Sequence, residues 1–239
     1  MILIFALAAF TATLLGGIFA LRFRDKLHLI LGFSAGAVIG VALFDLVPEA
    51  IDLASGVYSV KSVTTFIAVG FVIFMILDRI LSIHSHGDEA NCSNPKHGGF
   101  HGAATLAVHS FLDGFGIGLA FKVSPAVGIV VAVAVLAHDF SDGINTVNYI
   151  LKNKGRANTA FGWLIADALA PVVGIIASLF ITFSQATLGL TLALFAGFFL
   201  YIGASDLIPE SHHRHPKIMT TIMTILGILV LYLAIYFAE

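Results

Sequence analysis

Eight stretches of this chain are long and apolar enough to cross a bilayer, and little is left between them. Seven are plain: residues 2–21, 29–50, 63–83, 126–150, 158–183, 186–208 and 217–238. The eighth, 101–121, is less apolar but rich in Gly and Ala, which let helices approach closely inside a bundle. None shows the alternation of a strand, so helices are expected, the form in which a non-barrel span satisfies its own backbone in lipid. Composition agrees. Of 239 residues, 59% are hydrophobic and 11% charged, with a mean hydropathy of +1.00. A soluble domain carries about 25% charged residues, so this chain cannot cover a globular surface of its own. Its single cysteine, Cys92, excludes an internal disulfide framework or a multi-Cys zinc knot. A net charge of −2 gives no hint of nucleic acid. The expected surroundings are a lipid bilayer.

The sequence thus predicts an all-α membrane protein of eight transmembrane helices, one polytopic domain over residues 1–239. The opening MILIFALAAF has no basic stretch before it and belongs to an apolar run longer than a signal-peptide core, so it is expected to remain as span one. The longest link, Ser82 to Gly99, is polar and His-bearing.

Basic residues orient the bundle. The links after spans one, three, five and seven hold Arg22, Arg24 and Lys26; Arg79 and Lys96; Lys152, Lys154 and Arg156; and Arg214 and Lys217, ten of the twelve in the chain. The remaining links hold only Lys61 and Lys122. The positive-inside rule makes the odd links cytoplasmic and places both termini outside.

Two internal echoes point to a site. Span four contains HSFLDG (His109 to Gly114) and span five HDFSDG (His138 to Gly143). Span two ends in FDLVPEA (Phe44 to Ala50) and span seven in SDLIPES (Ser205 to Ser211). Spans two and seven are five crossings apart and therefore antiparallel, which is the pattern of inverted repeats flanking a midplane site in alternating-access transporters. The GFGIG run, Gly114 to Gly118, reads as packing surface; no strand precedes it and its spacing is wrong for a nucleotide fingerprint.

His109 and Asp113 are i, i+4 neighbours stacked on one helix face, and His138 and Asp142 repeat that spacing. Ser110 and Asp139 lie on the adjoining flank. An Asp at the bilayer centre costs about 2.5–3.5 kcal/mol, so Asp113, Asp139 and Asp142 together cost on the order of 8–10 kcal/mol unless compensated. Every Lys and Arg lies in a link or at a span end, which leaves protons, the two histidines or a bound cation as partners. Imidazole with carboxylate suits zinc, iron, manganese or cobalt; copper(I) would want thiolate or thioether. The competing account is a polar seam that glues helices, a task usually given to Ser, Thr, Asn or Gln rather than to three carboxylates.

Asp45, Glu49, Asp206 and Glu210 read either as paired acidic mouths that gather cations or as helix-end carboxylates reaching water, with Pro48 and Pro209 shaping the last turn. Asp167, four residues before Pro171 in span six, either completes the central site or lines the path. His84, His86, His97 and His101, with Asp88, Glu89 and Cys92, form a His-bearing tract at about 84–100, and His212, His213 and His215 follow span seven on the same side. Such a tract binds metal loosely as a cytoplasmic relay, or is a solvated linker.

With these residues in view, the whole chain resembles the ZIP family of divalent-metal transporters. The likeness is sharpest in HSFLDG and HDFSDG, where the family pattern is His-Asn-x-Pro-acid-Gly followed by a similar acidic motif. The resemblance implies eight helices arranged 3+2+3 with inverted repeats and a binuclear metal centre at the midplane. His109, Asp113, His138 and Asp142 match ligands of the first metal. Ser110 stands where the family has Asn, and with Asp139 and the shared Asp113 and Asp142 it would hold the second. Ala170 occupies the place of the family's acidic residue before a proline in span six, and neither motif keeps the usual Pro. The resemblance also implies a homodimer.

The expected function is import of a divalent transition metal into the cytoplasm, with the metal as cargo and no resident cofactor. The opposing readings are an intramembrane metallohydrolase, in which His and Asp hold zinc and a carboxylate activates water, and a proton or cation conduit without metal. HExxH is absent, a hydrolase needs no acidic mouths on both faces, and no enzyme activity is expected. With no organelle signal in view and a minimal chain, the expected location is a prokaryotic plasma (inner) membrane.

Overall fold

A computed structural model describes residues 1–20, 27–86, 96–152, 155–212 and 218–238. Within them every regular element is a helix, with no strand, and short turns join the helices at 55–59, 124, 155–156 and 180–184. Helices α1 (Ile2–Ala20), α2 (Leu27–Val41), α3 (Val47–Ala54), α4 (Val60–His86) and α5 (Lys96–Val123) are followed by α6 (Pro125–Lys152), α7 (Ala157–Leu179), α8 (Gln185–Tyr201), α9 (Ile208–His212) and α10 (Ile218–Ala238). Among the described residues, eight segments are long and apolar enough to span a membrane: Ile2–Ala20, Leu31–Ala54, Val60–Leu77, Gly102–Val123, Pro125–Leu151, Ala157–Leu179, Gln185–Leu207 and Ile218–Phe237. The Gly- and Ala-rich fourth is half buried in its most apolar window, against 17% for the third.

The His-bearing link is shorter than the sequence suggests. Helix α4 runs on to His86 and α5 begins at Lys96. At 27 residues α4 is about 40 Å long, beyond the ~30 Å hydrocarbon thickness. A helix keeps its own hydrogen bonds on leaving lipid, so polarity alone does not end it. His84 and His86 therefore sit on the end of α4, and His97 and His101 on the first turns of α5.

The described residues form two compact units. One comprises Met1–Arg24, Ile76–Phe115 and Asp139–Ala177; the other comprises Asp25–Met75, Gly116–His138 and Ser178–Glu239. In the first, α1 packs against α6 at Gly16 and Gly143, and α7 against α5 at Gly114 and Gly174.

The second unit is built on a repeated element. Helix α2 passes through a π-helical turn, Ala42–Leu46, into α3; helix α8 passes through a π-helical turn, Ile202–Leu207, into α9. Asp45 and Asp206 are the penultimate residues of these turns, and Pro48 and Pro209 are the second residues of the helices that follow. A proline has no N–H to give the carbonyl four residues back and crowds it. A wider turn before each proline relieves that clash. The packing is reciprocal too: α2 packs on the second π turn and on α9, while α8 packs on the first π turn and on α3. The FDLVPEA and SDLIPES echo is thus a structural repeat, including a helical defect that hydropathy does not reveal.

Other contacts close this unit. The rings of Phe71 and Phe74 lie 5.3 and 5.6 Å from that of Tyr201. The Lys122 ammonium donates to the Ser178 carbonyl at 2.5 Å and to that of Ile181, placing a positive charge at the carbonyl end of α7.

Candidate metal centre

His109 and Asp113 project from one face of α5, and His138 and Asp142 from one face of α6, because four residues make about one turn. One ligand atom from each of the four lies within 4.8 Å of the others, and all four side chains are buried. His109 Nε2 stands 3.1 Å from Asp113 Oδ2 and 3.7 Å from Asp142 Oδ2. A tetrahedral zinc site with bonds of about 2.0–2.1 Å has ligand–ligand edges of about 3.3–3.4 Å. The two observed distances bracket that edge.

His138 Nδ1 lies 3.1 Å from the Ala134 carbonyl oxygen. A carbonyl only accepts, so Nδ1 carries the proton, and in the neutral ring Nε2 keeps the lone pair a metal needs. One residue earlier, the Ser34 hydroxyl of α2 donates to the Ala137 carbonyl, which pins α6 beside its histidine.

The glycine that closes each motif has a steric reason. A Cβ on Gly114 would lie 2.0 Å from the Pro171 carbonyl oxygen of α7, and one on Gly143 would lie 1.9 Å from the Thr13 carbonyl oxygen of α1. Each therefore lets a neighbouring backbone close on α5 or α6 right beside the Asp113 or Asp142 carboxylate.

Asp167 occupies a third position. Its Oδ1 accepts from the Ser110 hydroxyl and its Oδ2 from the Thr146 hydroxyl, both at 2.7 Å. All three side chains are fully buried. One carboxylate thereby joins α5, α6 and α7.

The family model described as ZIP Zinc transporter matches residues 103–234, which is 132 of the 239 residues and includes His109, Asp113, His138, Asp142, Asp167, Ser110 and Thr146. The chain belongs to the ZIP zinc-transporter family. It is a multi-pass membrane protein. It is similar to zinc transporter YKE4 of Saccharomyces cerevisiae, 28% identical over 226 residues that cover 81% of this chain and 64% of the yeast protein. It is also similar to zinc transporter ZupT of Corynebacterium aurimucosum, 26% identical over 84% of this chain and 83% of the relative. Zinc transporter ZIP9 of Xenopus tropicalis is 23% identical over 83% and 81%.

Within this ZIP chain, Asp139 is buried beside the centre but outside the four-atom group. The Ser110 hydroxyl is directed to Asp167. Asp45 is buried in its π turn, whereas Glu49 and Asp206 are partly exposed. Glu210 and His212 are fixed here only as positions on α9, and His84, His86, His97 and His101 only as positions on α4 and α5. His213, His215, Asp88, Glu89 and Cys92 lie outside the described residues. Reading the sequence missed Thr146 and Ser34. Thr146 carried a signal, since it continues the His138–Asp142 face by one more turn.

Proposed function

We propose that this chain imports a divalent transition metal, zinc foremost, across the membrane into the cytoplasm, with His109, Asp113, His138 and Asp142 as the transport site. The carrying observation is the quartet of buried ligand atoms within 4.8 Å of one another, in a chain whose fixed cations all lie in links or at span ends. Iron, manganese and cobalt suit the same donors and are the alternative cargoes. The relatives' names support zinc. The 3+2+3 arrangement of inverted repeats with both termini outside, and a homodimer, belong to the same proposal, as what the resemblance to the family implies.

In this reading Asp45, Glu49, Asp206 and Glu210 serve the approaches to the site, Asp139 and Ser110 flank it, and the histidines of the 84–100 tract and after α9 receive metal on the cytoplasmic side. A prokaryotic plasma membrane is the proposed location, supported by the match along most of the bacterial relative. The rivals are a metallohydrolase and a metal-free proton conduit. Zinc uptake into proteoliposomes decides among them, measured with proton flux and peptide hydrolysis. Zinc should enter, and His109→Ala or Asp142→Ala should remove most uptake while the protein still reaches the bilayer. Proton flux or hydrolysis without metal uptake would refute the proposal.

A further inference from the structure

We infer that Asp167 is a positioning residue of the metal centre, one that ties the two ligand helices to α7 through Ser110 and Thr146 instead of binding the cargo itself. The inference deepens the proposed transport reading and rests on it. Both carboxylate oxygens are engaged, each by a hydroxyl at 2.7 Å. Asp167 is not in the group of convergent ligand atoms. The two struts end beside ligands: Ser110 follows His109, and Thr146 lies one turn beyond Asp142. Displacing the carboxylate would displace the ligand helices with it.

The surroundings hold this tie in place. Pro171, four residues on, has no N–H for the Asp167 carbonyl, so α7 is weakened at this point as a free-standing helix. It is held from outside instead. A Cβ on Gly114 would lie 2.0 Å from the Pro171 carbonyl oxygen, and one on Gly174 would lie 2.1 Å from the Phe111 carbonyl oxygen. Helices α5 and α7 are therefore in backbone contact over the two turns that follow the tie. Partners that orient metal ligands without touching the metal typically change affinity by about 10–100-fold when removed.

The test uses the full-length chain in nanodiscs, titrated with Zn2+, with the visible absorption of bound Co2+ as a reporter of ligand geometry. Thr146→Val keeps the shape of the side chain and removes one strut. It should weaken zinc by about tenfold and shift the Co2+ bands while the protein stays monodisperse. Asp167→Asn retains an acceptor oxygen and an amide that the hydroxyls can meet, so it should keep most of the affinity. Asp167→Ala should lose at least as much as Thr146→Val, and adding Thr146→Val to it should cost little more, as expected of members of one network. If Asp167→Ala does not fold, the other two variants carry the test.

Wild-type affinity and unchanged Co2+ bands in Thr146→Val would overturn the inference, leaving a purely structural tie. So would loss of zinc in Asp167→Asn as complete as in His109→Ala with Thr146→Val unaffected, which would make Asp167 a ligand. Zinc binding in the wild type that is indifferent to His109→Ala would overturn the transport reading and this inference together.

Discussion

Gly143 and Thr13 are in backbone contact: a Cβ added to Gly143 would fall 1.9 Å from the Thr13 carbonyl oxygen. Neither group is the end of a flexible side chain, so a helix would have to move. Gly143→Ala should therefore destabilise the chain by about 1–3 kcal/mol, the usual range for overpacking. Gly162, where an added Cβ meets nothing within 4 Å, is the control. Gly162→Ala should be neutral or slightly stabilising, since Ala is the better helix former. Thermal unfolding in detergent checks both, and equal melting temperatures for the two variants would contradict the contact.

Acid should compete with metal. A metal takes the lone pair that a proton would otherwise hold, so binding at His109 and His138 requires deprotonated rings. Zinc affinity should fall as pH drops through the ordinary histidine range, near about 6.5, and recover on returning to neutral pH. Isothermal titration across that range measures it. A flat profile would argue against imidazole ligation.

The number of metals held is a further check. Asp167 is occupied by Ser110 and Thr146, and Ala170 offers no carboxylate one turn further on. One zinc per chain should bind tightly and any second weakly. Ala170→Glu should strengthen the second. Two equal tight sites in the unmodified chain would count against this assignment.

Sidedness follows from the distribution of Lys and Arg. A thiol reagent that cannot cross the membrane should modify Glu49→Cys only from outside and Glu210→Cys only from the cytoplasm, each in a Cys92→Ser background. Reversed labelling would reverse the proposed direction of transport.

The parts of this molecule that are legible in one dimension are those whose physics is local. Eight spans follow from the cost of charge in lipid, and the buried His/Asp quartet from the i, i+4 repeat that stacks His109 on Asp113 and His138 on Asp142. The π turns are less legible: Pro48 and Pro209 announce a disturbance but not its form, which depends on how the backbone upstream absorbs it. The bond from Thr146 to Asp167 is not legible at all, since it joins residues 21 apart on different helices and a lone threonine in a span usually bonds to its own backbone. The reach of α4 to His86 is not legible either, because a polar sequence marks the end of lipid contact and not the end of a helix.

Helix length carries one more consequence. The helices that carry the buried His/Asp quartet, α5 and α6, have 28 residues each, about 42 Å. Helix α1, in contact with α6 at Gly143, has 19, about 28 Å. A bilayer core of about 30 Å matches α1 and is overrun by the other two, which must lean or project into the headgroups. A thinner membrane demands more of α5 and α6 than of α1, which makes acyl-chain length a mechanical variable for the helices bearing His109 and His138. The same chain in two lipids would be two slightly different coordination chemists.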